Sequence, residues 1–238
     1  MHAQRTLQIV GRQQSRTRNR VRDNGLALAM FGFFLVFLVI QSVSGFRVYN
    51  ADQTEHGQAA VAFSTYLHSG HFVEAIFENW ESEFLQMAAY VLFTVFLFQR
   101  GSSESKDPDG APHPSDEDPR AARDRPDAPW PVRRGGLWLK LYENSLVITL
   151  VALFLLSFVL HVAGGAKEFN EEQRAHGGET VSMIGFLGTS QFWFESMQNW
   201  QSEFLSVGML LVLSIWLRQR GSPESKPVAS PNSGTADD

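Results

Sequence analysis

The sequence predicts an all-α integral membrane protein, a four-helix bundle made from two tandem parallel helical hairpins. Three observations predict it: four long apolar blocks, a repeat with a period of 120 residues, and an uneven division of basic side chains along the chain. The 238 residues are 44% apolar and only 19% charged, and the two kinds are segregated. The first block, Leu26 to Phe46, holds no ionisable group and is about as long as the ~20 residues a helix needs to cross a bilayer core. A single-core soluble enzyme is therefore not expected. No cysteine is present, which excludes disulfides, thiolate metal sites and cysteine nucleophiles. The net charge of −5 is the wrong sign for a general nucleic-acid binder.

The remaining blocks are Phe84–Phe98, Leu146–Ala163 and Phe204–Leu217. The second and fourth are short, but Trp80 and Trp200 stand one turn before them and Arg100 and Arg218 close them, the aromatic and basic flanking of membrane spans. A cleaved signal peptide does not account for the first block, because its counterpart recurs in mid-chain. That counterpart belongs to a gapless repeat. Asn24 to Lys106, set against Asn144 to Lys226, gives 27 identities in 83 positions, far above the ~6% of random pairs at average usage. The chain reads as a duplicated two-span unit.

Lys and Arg number six before the first block, eight between Gln99 and Lys140 and three after the fourth, against one in residues 47–82 and two in residues 166–202. The positive-inside rule puts both termini and the central linker in the cytoplasm and both inter-span loops outside. The expected organisation is a basic cytoplasmic segment 1–25, repeat 1 over 26–101, a disordered cytoplasmic linker 102–136, repeat 2 over 137–221 and a disordered cytoplasmic tail 222–238. The linker is expected to lack a fold because it is rich in Pro, Asp, Ser and Arg, with eight acidic residues from Glu104 to Asp127.

The segment before each even span continues its helix outward. On a helical wheel from Phe72 the apolar residues Ile76, Trp80, Phe84 and Met87 share one arc, and Glu74, Glu78 and Glu81 share the opposite flank, which reads as a solvated acidic face. Glu83 and its counterpart Glu203 fall inside the apolar arc. An ionisable group there is costly and needs a partner; the candidates are Asn79, Asn199, Ser82, Ser202 or the other glutamate. These six form the candidate polar membrane site, either a proton or cation site or a lock between helices.

The repeated outer motif is Asn50, Gln53, His56 with Gly57, matched by Asn170, Gln173, His176 with Gly177. Glycine after histidine is a helix-stop signature, so capping is favoured over a metal role for His56 and His176 with His68 and His71. No metal and no cofactor is expected. The tryptophans and Arg100 and Arg220 read as interface anchors, and the repeated Arg-Gly-Ser-x-Glu-Ser-Lys run reads as a helix stop. Nucleotide, phosphate-loop, HExxH and GxSxG patterns are absent, so the expected function is non-enzymatic.

The Tyr49-to-Gly57 run, Ser69-Gly-His-Phe72, Glu78-Asn-Trp-Glu-Ser-Glu-Phe-Leu-Gln-Met87 and Gln99-Arg-Gly-Ser-Ser-Glu-Ser-Lys-Asp-Pro108 resemble an uncharacterised family of bacterial multi-pass membrane proteins, a domain of unknown function. The resemblance implies an inner-membrane location and no particular activity. The second repeat departs from the first where Glu78 and Glu81 become Gln198 and Gln201. The expected role is interaction or envelope support, with the bilayer, a second copy or another membrane protein as partner and no nucleic acid. A small channel or proton/cation-coupled transporter using Glu83 and Glu203 is the alternative.

Overall fold

The computed structural model describes residues 20–110 and 113–235; most of the basic segment 1–25 and the last residues of the tail lie outside the described residues. The described residues hold helices and turns and no strand. The helices are α1 (Arg20–Asp23), α2 (Gly25–Glu55), α3 (Phe63–Tyr66), α4 (Gly70–Phe96), α5 (Trp130–Arg134), α6 (Gly136–Glu143), α7 (Ser145–Ala175), α8 (Met183–Phe186) and α9 (Ser190–Leu213). The chain divides into two compact units, Met1–Ala60 and Val61–Asp238.

In the first unit α2 is 31 residues long, without proline, and rich in Leu, Phe and Ala. It ends where the sequence supplies a stop. His56 is its C-cap, Gly57 takes φ 70, and the Gln58 amide donates back to the Gln53 carbonyl at 2.7 Å, closing a Schellman turn. Most apolar side chains of α2 are exposed, Phe31 at 69% and Phe37 at 63%, while Tyr49 near its end is buried.

In the second unit α7 repeats this design. It too is 31 residues long, capped by His176, with Gly177 at φ 70 and a bond from the Gly178 amide to the Gln173 carbonyl at 2.7 Å. α2 and α7, α3 and α8, and α4 and α9 each begin 120 residues apart. The short helices α3 and α8 each bury one aromatic residue, Tyr66 and Phe186, edge-on against Phe72 and Phe192 at 5.3 and 5.7 Å. Ser69 and Thr189 cap the helices that follow, their hydroxyls accepting from the amides of Phe72 and Phe192.

α4 packs along α7, and α9 packs more sparingly on α4. Within the second unit the closest helix pair is α4 with α7. Glycine makes that approach possible. A Cβ on Gly164 would lie 2.6 Å from the Glu74 amide nitrogen, and one on Gly70 would lie 2.5 Å from that of Glu168. These pairings, with residue numbers falling on one helix as they rise on the other, make α4 and α7 antiparallel. The main core cluster beside them consists of Val162, Ala166, Phe186 and Phe192.

Both Arg-Gly-Ser-x-Glu-Ser-Lys runs form the same turn. Gly101 and Gly221 have φ 83 and 87. Ser105 and Ser225 accept from the amides of Gln99 and Gln219, each at 2.8 Å, and Ser102 and Ser222 accept from the amides of Glu104 and Glu224. The serines satisfy amide donors of the irregular turn that follows each helix. The stretch expected to be a disordered linker carries single-turn 3-10 helices at Pro114–Asp116 and Pro119–Ala122, an ion pair from Lys106 to Asp116 at 2.7 Å, and a small apolar cluster of Ala128, Val132 and Leu139.

Candidate functional site

Where α4, α7 and α9 come together, a group of carboxylates surrounds one imidazole. Glu81 on α4 and His161 on α7 are both fully buried, with side chains 0% exposed. The Nδ1 atom of His161 lies 2.8 Å from a Glu81 carboxylate oxygen. The other Glu81 oxygen accepts from the Trp200 indole N–H at 2.9 Å and from the Ser196 hydroxyl at 3.5 Å, both on α9. On the far side of the ring, His161 Nε2 lies 3.5 Å from Glu195 Oε2. Phe192 stacks at a tilt over the imidazole, 5.2 Å between centroids.

Glu74 and Glu78 complete the acidic side. Glu74, His161 and Glu195 each offer one ligand atom, and these atoms lie within 4.8 Å of one another. Burial pushes the Glu74 carboxyl up to about 9, and the charges of Glu195 and Glu168 add to the shift. Burial raises Glu78 to about 7, partly offset by His161 and reinforced by Glu195 and Glu81. Tyr66 is raised by burial and by Glu168. Each shift has the same physical origin, since negative charge is crowded into a site from which water is largely excluded.

The acidic flank expected to be solvated is therefore turned inward, and that expectation is corrected for Glu74, Glu78 and Glu81. The wheel gave the flank correctly and its environment wrongly, because α7 covers it. Glu83, two residues beyond Glu81, is exposed, and Glu203 is half-buried. The other members of the expected polar site bond along their own helices. Asn79 donates to the Ala75 carbonyl, Ser82 to that of Asn79, Asn199 to that of Glu195 and Ser202 to that of Asn199.

In the outer motif His56 and His176 place Nδ1 3.0 and 2.9 Å from the carbonyls of Asp52 and Glu172, one turn back. Asn170 has a further task, binding both the amide and the carbonyl of Val181 at 2.7 and 2.8 Å and so pinning the loop after α7 to that helix. Gln173 contributes its backbone carbonyl to the helix stop. Of the expected anchors, Trp80 packs edge-on against Phe77 at 5.1 Å, Arg100 pairs with Asp109, and Arg220 is exposed. Trp200 instead supplies a hydrogen bond to the buried cluster.

His161 escaped the sequence reading. It is the one ionisable residue inside the third apolar block, and its counterpart in the first repeat is Gln41. That lone charge, with three glutamates spaced i, i+4 and i+7 on another helix, was the available signal. A groove of about 300 Å3 between α4 and α9, beside Tyr90, Thr94 and Gly208, includes none of the cluster. Its lining is mostly apolar, so the convergent polar chemistry lies elsewhere.

A family model described as Domain of unknown function (DUF6766) matches residues 17–237. The chain belongs to that family. The DUF6766 match takes in α2, α4, α7 and α9 and so every residue of the cluster. No curated protein and no solved structure matches the chain.

Proposed function

We propose that this chain is a non-enzymatic, four-span bacterial inner-membrane protein, made by duplicating a two-span unit, that acts by interaction. In this reading both termini and the linker are cytoplasmic and the two inter-span loops form the outer surface. Support for the membrane comes from α2 and α7, two helices long and apolar enough to cross a bilayer. Exposed Phe, Leu and Val along α2 would be an aggregation hazard in water and are at home in lipid. Support for duplication comes from the 120-residue recurrence of helix starts, caps and serine turns.

One observation carries the functional reading: a fully buried Glu81–His161 pair, one partner from each repeat, with Trp200 and Ser196 donating to the second Glu81 oxygen. Buried charge is retained in membrane helices where it has a task. Here it fixes how the second helix of one repeat seats on the first helix of the other, and therefore which outer surface the protein presents to a partner. The same cluster favours a second reading, cation-coupled transport, with Glu81 and His161 in place of Glu83 and Glu203.

The test is thiol labelling of single cysteines in this cysteine-free chain. Ala60→Cys and Thr180→Cys are expected to react with a membrane-impermeant reagent added outside intact cells. Reaction only from the cytoplasmic side would overturn the topology. Proton or cation flux through reconstituted liposomes, abolished by His161→Gln, would select transport over interaction.

A further inference from the structure

We infer that Glu74, Glu195 and the Nε2 atom of His161 form a binding site for a divalent transition-metal ion of the zinc type. The inference concerns the same cluster and rests on its being the working part of the protein. Each of three helices contributes one ligand, Glu74 from α4, His161 from α7 and Glu195 from α9, so an ion there would tie the three together.

The geometry around His161 favours a metal. Its Nδ1 side is taken by the Glu81 carboxylate at 2.8 Å. In the tautomer that donates Nδ1–H to the ionised carboxylate, Nε2 is left with a bare lone pair, the arrangement in which a carboxylate orients and strengthens a metal-binding histidine. Nε2 of His161 and Oε2 of Glu195 are both buried and have no hydrogen-bond partner, although the histidine side chain is 0% exposed. They face one another at 3.5 Å. That distance is long for a good N–H···O bond, which runs to about 3.2 Å. It is the span of two coordination bonds of about 2.1 Å meeting at roughly 110°, the tetrahedral angle.

The third ligand is held where it is needed. A Cβ on Gly165 would come within 2.7 Å of the Glu74 carboxylate, so the glycine is what leaves that carboxylate its room. Glu81 itself is spent on Trp200 and Ser196, which fixes it as the orienting group and not a ligand. One imidazole and two carboxylates suit zinc and its neighbours, whereas calcium and magnesium take all-oxygen shells.

The 120-residue repeat sets the stoichiometry. The counterparts of Glu74, His161 and Glu195 are Phe194, Gln41 and Ala75. None can replace its partner as a ligand, so the duplicated chain has one such site and not two.

The test uses the full chain, purified in detergent, stripped with a chelator and dialysed against Zn2+ or Co2+. The expected result is one ion per chain, taken up in the presence of excess Mg2+ and Ca2+, with Co2+ giving the visible bands of a low-coordinate site and a change in tryptophan fluorescence from Trp200. His161→Gln and Glu195→Gln should each weaken binding by at least tenfold. Glu81→Gln should weaken it about 10- to 100-fold as an orienting partner, and exposed Glu179→Gln should leave it unchanged. Uptake below one ion per chain by the unaltered protein would overturn the inference. Uptake that survives both His161→Gln and Glu195→Gln would overturn it too, and because those two variants alter different helices, misfolding of one leaves the other to decide. Thiol labelling reads topology independently, so loss of the metal site with topology intact strikes this inference and not the membrane reading.

Discussion

Glu81 and Glu83 stand two residues apart on α4 and occupy opposite environments. Helical periodicity separates them by 200°, and that separation is legible in the sequence. What periodicity cannot show is which side is covered. In a soluble helix the apolar arc turns inward, but a helix in lipid can turn its apolar arc out and its polar flank toward its neighbours. Met87, on the apolar arc, is 47% exposed, whereas Glu81 is 0% exposed. Glu83→Gln is therefore expected to change detergent stability by no more than about 0.5 kcal/mol, as surface substitutions do. A loss as large as that of Glu81→Gln, measured by thermal unfolding, would restore Glu83 to the working site. His161 was readable in principle as a lone charge in an apolar block. Trp200 was not, since a tryptophan near an interface has a sufficient explanation there and only the fold shows its N–H aimed at Glu81.

At the scale of elements, the helices and their ends follow from local chemistry. His-Gly stops, Ser69 and Thr189 caps and the serine turns are all written in consecutive residues, and the structure builds them twice. Helix pairing is different, because it depends on surfaces distant in sequence. Gly70 and Gly164 carry no local signal in the sequence, yet they are where the backbones of α4 and α7 come closest. Gly164→Ala is expected to cost about 1–3 kcal/mol, the usual penalty of overpacking, because its Cβ would meet backbone at 2.6 Å and not a flexible side chain. Thermal unfolding in detergent measures it. Gly208→Ala, with nothing within 4 Å, is the control and is expected to be neutral or slightly stabilising; equal losses at both positions would contradict the close crossing.

At the scale of the whole molecule, helices that begin 120 residues apart carry unequal side chains. Glu74, Glu78, Glu81 and His161 oppose Phe194, Gln198, Gln201 and Gln41 in the other register. The 120-residue recurrence is plain from residue identities alone, while Glu74, Glu78, Glu81 and His161 lie at positions that do not match, so the recurrence shows that these residues differ between the copies and not that they meet. The central claim is that Glu81 and His161 act as one buried unit joining α4 to α7. A double-mutant cycle on the full chain tests it most directly, with unfolding free energies measured in detergent for Glu81→Leu, His161→Leu and the two combined. Each single change should be strongly destabilising, on the order of 3 kcal/mol, since it leaves a buried polar partner stranded. The combined change should cost less than the sum by at least about 1.5 kcal/mol, and additivity within about 0.5 kcal/mol would contradict the pair.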